Sequence, residues 1–162
     1  MTRTNKLEIT LPNDTEIHLE RRFDFPAALV YQAFADHENH KHWLGCGLGT
    51  VLESTGKPEV GAPWHFRMDM GEMGQFHCFG QCLEAIPHEK FVRTFIYDVP
   101  VIRENAAVES ATFTEEDGKT VFRVVVRHLN KENRDGHLNS GMERGASASY
   151  DALEDYLRGH GQ

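Results

Sequence analysis

TEIHLERRFDFPAALVYQAFAD, residues 15–36, changes its period part-way along. Ile17, Leu19 and Phe23 fall on one parity, as in a strand with one buried face, and Arg21 interrupts their row. Pro26 suits the first turn of a helix, where its missing N–H costs little. After it, Leu29, Val30, Ala33 and Phe34 recur at helical spacing. The stretch therefore reads as a strand over 15–23 followed by a short amphipathic helix over 26–35. Asp36 can cap a second short helix that runs to about Trp43.

Outward from this stretch, residues 1–14 read as a loose N-terminal arm ending in the turn-like Pro12-Asn13-Asp14. Downstream, strands are expected at 50–54, 64–70, 75–86, 91–97, 108–114 and 120–128. Turn signals separate them: Gly56, Pro58 and Gly61; Gly71 to Gly74; Pro87; and Asp117-Gly118, a hairpin signature. A glycine-rich turn at 45–49 and a longer connection at 98–105 complete the set. Leu138, Met142, Ala146, Tyr150, Leu153 and Leu157 then advance by three or four residues, the buried stripe of a long helix over 133–157. The order predicts an α+β domain over 15–158, a curved antiparallel sheet wrapped around the C-terminal helix. Such a wrap leaves room for a cavity between sheet and helix.

Composition narrows the function classes. The 162 residues suit one domain, and 40% hydrophobic content supports a packed interior. Lys and Arg total 17 against 25 Asp and Glu, a formal charge of −8. That balance argues against nucleic acid as a partner, because phosphate binding relies on Lys and Arg displacing counterions. Ten histidines make the charge pH-sensitive; protonating all of them would carry it from −8 to +2. The apolar run Phe25 to Tyr31 falls far short of the roughly 20 residues a spanning helix needs, so no membrane insertion is expected. The N-terminus lacks the apolar core of a secretory signal. Cys78 and Cys82, four apart on one strand, would be about 13 Å apart, too far for a disulfide. A cytoplasmic protein with free thiols, monomeric or homodimeric, is the expectation.

The run Arg21 to Asp36, with Trp43 after it, resembles the opening of the helix-grip superfamily, the START-like, Bet v 1-like or SRPBCC proteins. Within it, the chain is most similar to the branch named after the activator of the Hsp90 ATPase (AHSA1-like). The segment GQCLEAIPHE at 80–89, Phe91-Val92-Arg93-Thr94, the hairpin over 113–125 and Gly141-Met142-Glu143-Arg144-Gly145 carry the same likeness. The resemblance implies a helix-grip fold. It also implies one of three kinds of function: small-molecule carriage, a co-chaperone or protein-interaction role with a chaperone-type partner, or cyclase-, aromatase- or hydrolase-like catalysis.

Several residues invite sharper readings. His37, His40 and His42 with Cys46 lack the ligand spacing of a zinc site, and no metal or cofactor is expected. Gly45, Gly47 and Gly49 lack the ending of a phosphate loop, which leaves a plain turn. His65, Arg67 and Asp69, with His77 near them, share a parity opposite Trp64, Phe66, Met68 and Met70; parity favours a solvated outer row, and the alternative is a cavity-facing row that orients a polar ligand or serves acid–base chemistry on an enolisable carbonyl. Arg21 and Arg93 each interrupt an apolar row and need a carboxylate, an aromatic face or solvent; Glu84 shares the parity of Phe76, Cys78 and Cys82 and is a candidate partner. Gly141 and Gly145 in the long helix imply its close approach to the sheet.

No nucleophile–base constellation stands out, so no catalytic residue is assigned and a non-enzymatic role is favoured. The expected function is binding of a small hydrophobic or amphipathic molecule between sheet and C-terminal helix. The expected lining is Trp43, Trp64, Phe66, Met68, Phe76, Cys78, Arg93, Phe95, Met142 and Ser149.

Overall fold

In a computed structural model that describes residues 5–44, 49–97 and 106–160, the chain forms one eight-stranded antiparallel sheet. The strands are β1 (Glu8–Thr10), β2 (Glu16–Phe23), β3 (Thr50–Thr55), β4 (Pro63–Asp69), β5 (Gln75–Ile86), β6 (Lys90–Tyr97), β7 (Ala107–Glu116) and β8 (Lys119–Arg127). Their spatial order is β1-β2-β8-β7-β6-β5-β4-β3. Between β2 and β3 lie α1 (Ala27–Ala35), a 3-10 turn at His37–Asn39 and α2 (His40–Trp43). After β8 come α3 (Lys131–His137), a wide turn at Leu138–Met142 and α4 (Glu143–His160). The α+β helix-grip architecture is as expected.

One face of the sheet is dry. Ile17, Leu19 and Phe23 of β2, Ala111 and Phe113 of β7, and Phe122, Val124 and Val126 of β8 are all buried, as strand alternation requires. Leu153 and Leu157 of α4 pack on this face. Phe34 of α1 stacks on Phe122 at 4.6 Å, and Tyr150 of α4 meets Phe122 edge-on at 5.5 Å, tying both helices to β8. Two hydrogen bonds fix how the chain leaves β2. Thr120 Oγ1 donates to the Phe25 carbonyl at 2.7 Å, and the Ala27 amide at the start of α1 donates to Glu115 at 2.8 Å. The β7–β8 hairpin turns on Asp117 and Gly118, both at positive φ.

The structure corrects three expectations. Residues 8–10, assigned to a loose arm, form β1 and extend the sheet, and Asn5 reaches Glu154 of α4 at 2.8 Å. The long helix is not continuous, because Gly141 sits at φ 90°, a left-handed kink that favours glycine. The close-approach explanation for Gly141 and Gly145 fails, since a Cβ at either position would meet nothing within 4 Å. The expected turn at 45–48, with Cys46, and the connection at 98–105 lie outside the described residues. Among the described residues, no helix is long and apolar enough to cross a membrane.

Candidate functional site

Two irregularities in the sheet decide which side chains face inward. In β3 the register shifts between Val51 and Glu53, so that Val51 pairs with Met68 and Ser54 with Phe66. The extra residue, Leu52, reverses the parity and turns Ser54 inward while Glu53 faces out towards Arg67. In β5 the register shifts between Cys82 and Glu84: Cys82 stays opposite Arg93 on the inner face, and Glu84 moves opposite Val92 on the outer one. There Glu84 pairs with Lys90 at 3.1 Å. Glu84 is therefore not the partner of either inward arginine.

Between this part of the sheet and the short helices lies a hollow of about 40 Å³. Its walls are Tyr31, Phe34 and Ala35 of α1, His37, Lys57 and Pro58 of the β3–β4 loop, Trp64, Cys82, Phe91 and Arg93. Among the described residues, no acidic side chain lines it, although acids outnumber bases in the chain, 25 to 17. Lys57 and Pro58 are exposed and form its solvent side.

Arg93 is fixed from two directions. Its Nε donates to Glu109, directly opposite on β7, at 2.7 Å, and its guanidinium lies 3.8 Å from the Trp64 ring centroid. Neither contact uses the terminal amino groups, and Nη1 and Nη2 have no hydrogen-bond partner among the described residues. The Tyr31 hydroxyl is buried without a partner, closed off by the atoms packed round it. Burial, and next the nearby Cys82, push the Tyr31 phenol up. Burial likewise raises the Cys82 thiol, so this cysteine is protonated near neutral pH. A buried polar group without a partner is costly unless something fills the gap.

Of the lining residues, His37 is held from outside the hollow: Ser54 Oγ lies 2.8 Å from His37 Nδ1 and 2.7 Å from His40 Nδ1, and His40 Nε2 lies 2.9 Å from the Phe34 carbonyl oxygen. Burial pushes His37 down to about 3, helped by the neighbouring His40 and Arg93, and pushes His40 down to about 4. Both rings are neutral at physiological pH. The 3-10 turn that carries His37 is capped by Asp36, whose carboxylate accepts from the Glu38 amide at 3.1 Å, the capping role the sequence implied. Among the described residues, no three His, Cys, Asp or Glu side chains converge to hold a metal ion.

The family described as activator of Hsp90 ATPase homolog 1-like protein matches residues 24–158. The chain belongs to this family. Solved structures of family-like architecture include a Rhodobacter sphaeroides protein (TM-score 0.86, 18% identity, 95% of this chain and 99% of that one). A Mycobacterium smegmatis protein follows (TM-score 0.81, 19% identity, 93% and 95%). CalU16 from Micromonospora echinospora is more distant (TM-score 0.62, 15% identity, 97% and 87%). At these identities the likeness shows the fold alone. No functionally curated protein matches the chain.

Of the ten side chains the sequence nominated, this AHSA1-like structure places Trp64 and Arg93 on the hollow. Phe66, Met68, Phe76, Cys78 and Phe95 share the inner face of the sheet with them, as parity implied. Phe66 and Phe95 flank Trp64 at 6.0 and 5.7 Å. Met142 and Ser149 lie on the C-terminal helical segment, half-buried and buried respectively. Trp43 is buried core, edge-on to Phe34 at 4.9 Å. The expected outer row is outside: His65 meets His77 at 3.2 Å and Glu53 at 3.3 Å. Tyr31, His37, Ser54 and Cys82 complete the site and were missed as a group. Their parity or helical phase gave no sign that they converge.

Proposed function

We propose that this AHSA1-like chain is a small-molecule-binding domain whose hollow receives the anionic head of its ligand. The carrying observation is that Arg93 presents two unpartnered amino groups into a space with no acidic wall. A guanidinium held at Nε and by its face is pre-organised, so its free edge matches the two oxygens of a carboxylate. Lys57 at the mouth adds attraction. Trp64 borders the hollow on one side and the Phe66–Phe95 layer on the other, which suits a molecule with an apolar body. The hollow itself has room for only about three waters, far below the roughly 300 Å³ of a drug-sized site. It therefore takes a head group, with the nominated residues Met68, Phe76, Cys78, Met142 and Ser149 left for the body. Buried Cys82, outside any disulfide among the described residues, suits a reducing compartment such as the cytoplasm. A co-chaperone role rests on the family's description alone.

Acetate is the simplest probe. Ligand efficiency caps a four-atom ligand at about 6 kcal/mol, so binding is expected in the millimolar range. Titration followed by nuclear magnetic resonance should move the Arg93 Nε–H signal and the amides of residues 31 and 82, relative to chloride at matched ionic strength. Arg93→Lys should abolish these shifts. Shifts that are absent, or that persist unchanged in the variant, would overturn the reading.

A further inference from the structure

The hydrogen bonds around Ser54 settle where the protons of two histidines sit. His40 Nε2 faces a carbonyl oxygen, which can only accept, so Nε2 carries the proton and donates it to Phe34. In the neutral ring Nδ1 is then an acceptor, and the Ser54 hydroxyl must donate to it. Serine has one proton. Having given it to His40, Ser54 Oγ can only accept from His37, so His37 carries its proton on Nδ1. The chain of donors runs His37 to Ser54 to His40 to Phe34 and leaves His37 Nε2 as a bare lone pair.

That lone pair has no hydrogen-bond partner among the described residues, and its ring lines the same hollow as Arg93 and Tyr31. The residue beside it is Gly56. A Cβ there would lie 2.7 Å from His37 Nε2 and 2.8 Å from Trp64 Cβ, so only the lack of a side chain keeps this approach open. The hollow thus offers two unused groups of opposite kind: the donor edge of Arg93 and an acceptor at His37.

We infer that the hollow selects a hydroxy acid, with the carboxylate on Arg93 and the hydroxyl proton donated to His37 Nε2. Ser54 and His40 are positioning residues that hold His37 in the accepting tautomer. The inference rests on the anion-binding reading above and adds to it the second group the ligand must carry.

The test compares acetate with glycolate, which differ by one hydroxyl. Glycolate is expected to bind about fivefold more tightly to the wild-type chain, the worth of one neutral hydrogen bond. Ser54→Ala should bring the two affinities together while leaving that for acetate unchanged, because Arg93 is untouched. Gly56→Ala should do the same by covering Nε2. Nitrogen-15 spectra of the imidazoles report the tautomers directly: the proton is expected on Nδ1 of His37 and on Nε2 of His40, with His37 losing its bias in Ser54→Ala. Equal binding of acetate and glycolate by the wild-type chain, or a His37 proton on Nε2, would overturn this inference and leave the anion-binding reading standing. Binding of neither probe would overturn both.

Discussion

Arg21 and Arg93 carry the same signal in sequence, a cation in the middle of an apolar strand row, and the fold uses them in opposite ways. Arg21 on β2 has a fully buried side chain. It donates to Asp151 of α4 at 3.0 Å and to the Arg22 carbonyl, lies 3.6 Å from Glu154 and sits over the Phe23 ring at 4.9 Å. Those contacts lock the helix to the sheet and use both terminal amino groups. Arg93 on β6 keeps 19% of its side chain exposed, is held by one carboxylate at Nε and by one ring face, and keeps both terminal amino groups free. A buried arginine is structural when its partners hold its terminal amino groups, as here with Nε left unpartnered, and a candidate binder when they leave that edge open.

The widest way to separate the two is stability. Arg21→Met removes the buried cation that Asp151 and Glu154 share, leaving Glu154 with Asn5 and the exposed Arg158, and should cost about 3–5 kcal/mol in urea denaturation. A loss below about 1 kcal/mol would show that the α4 carboxylates find water or another cation and that Arg21 does not lock the helix. Gly80→Ala acts next to Arg93: a Cβ there would run into the Thr94 backbone of β6, one residue beyond it. Overpacking of this kind costs about 1–3 kcal/mol and should also weaken acetate binding by shifting the Arg93 backbone. A variant of wild-type stability and affinity would mean that β5 and β6 can part without disturbing the arginine.

Acidity probes the two ends through their histidines. Burial, with help from neighbouring cations and rings, holds His37 at about 3 and His40 at about 4 beside Arg93. It also holds His128 at about 4 and His137 at about 3 where β8 meets α3. All four lie below the unfolded value of 6.5, so between 6.5 and about 4 the unfolded chain binds protons that the folded chain does not. Stability should be full above about pH 6.5 and fall as pH drops through that window, by up to about 1.4 kcal/mol per pH unit for each neutral histidine. Urea midpoints at pH 7.5, 6.5 and 5.5 check this; a flat profile would mean these rings are protonated in the folded protein. The smallest effect belongs to Arg93→Lys, which keeps the charge near Glu109 but loses the planar fork. Its stability should change by less than about 1 kcal/mol while acetate affinity falls at least tenfold, the reverse of the Arg21 pattern.

The sequence alone determined the alternation of Trp64, Phe66 and Met68, the helix opening after Pro26, the Asp36 cap, the Asp117-Gly118 hairpin and the anomaly of two arginines in apolar rows. These are local matters of period, backbone φ and side-chain chemistry, which neighbouring residues settle among themselves. The β1 strand was not legible, because Glu8–Thr10 is too short to show a period and is fixed by its pairing with β2. Tertiary structure alone decided the site. One extra residue in β3 turned Ser54 inward to join His37 and His40, and one in β5 turned Glu84 outward to Lys90 and away from Arg93. A bulge is recognised by the partner strand it faces, and strict alternation read along a single strand assigns every residue beyond it to the wrong face.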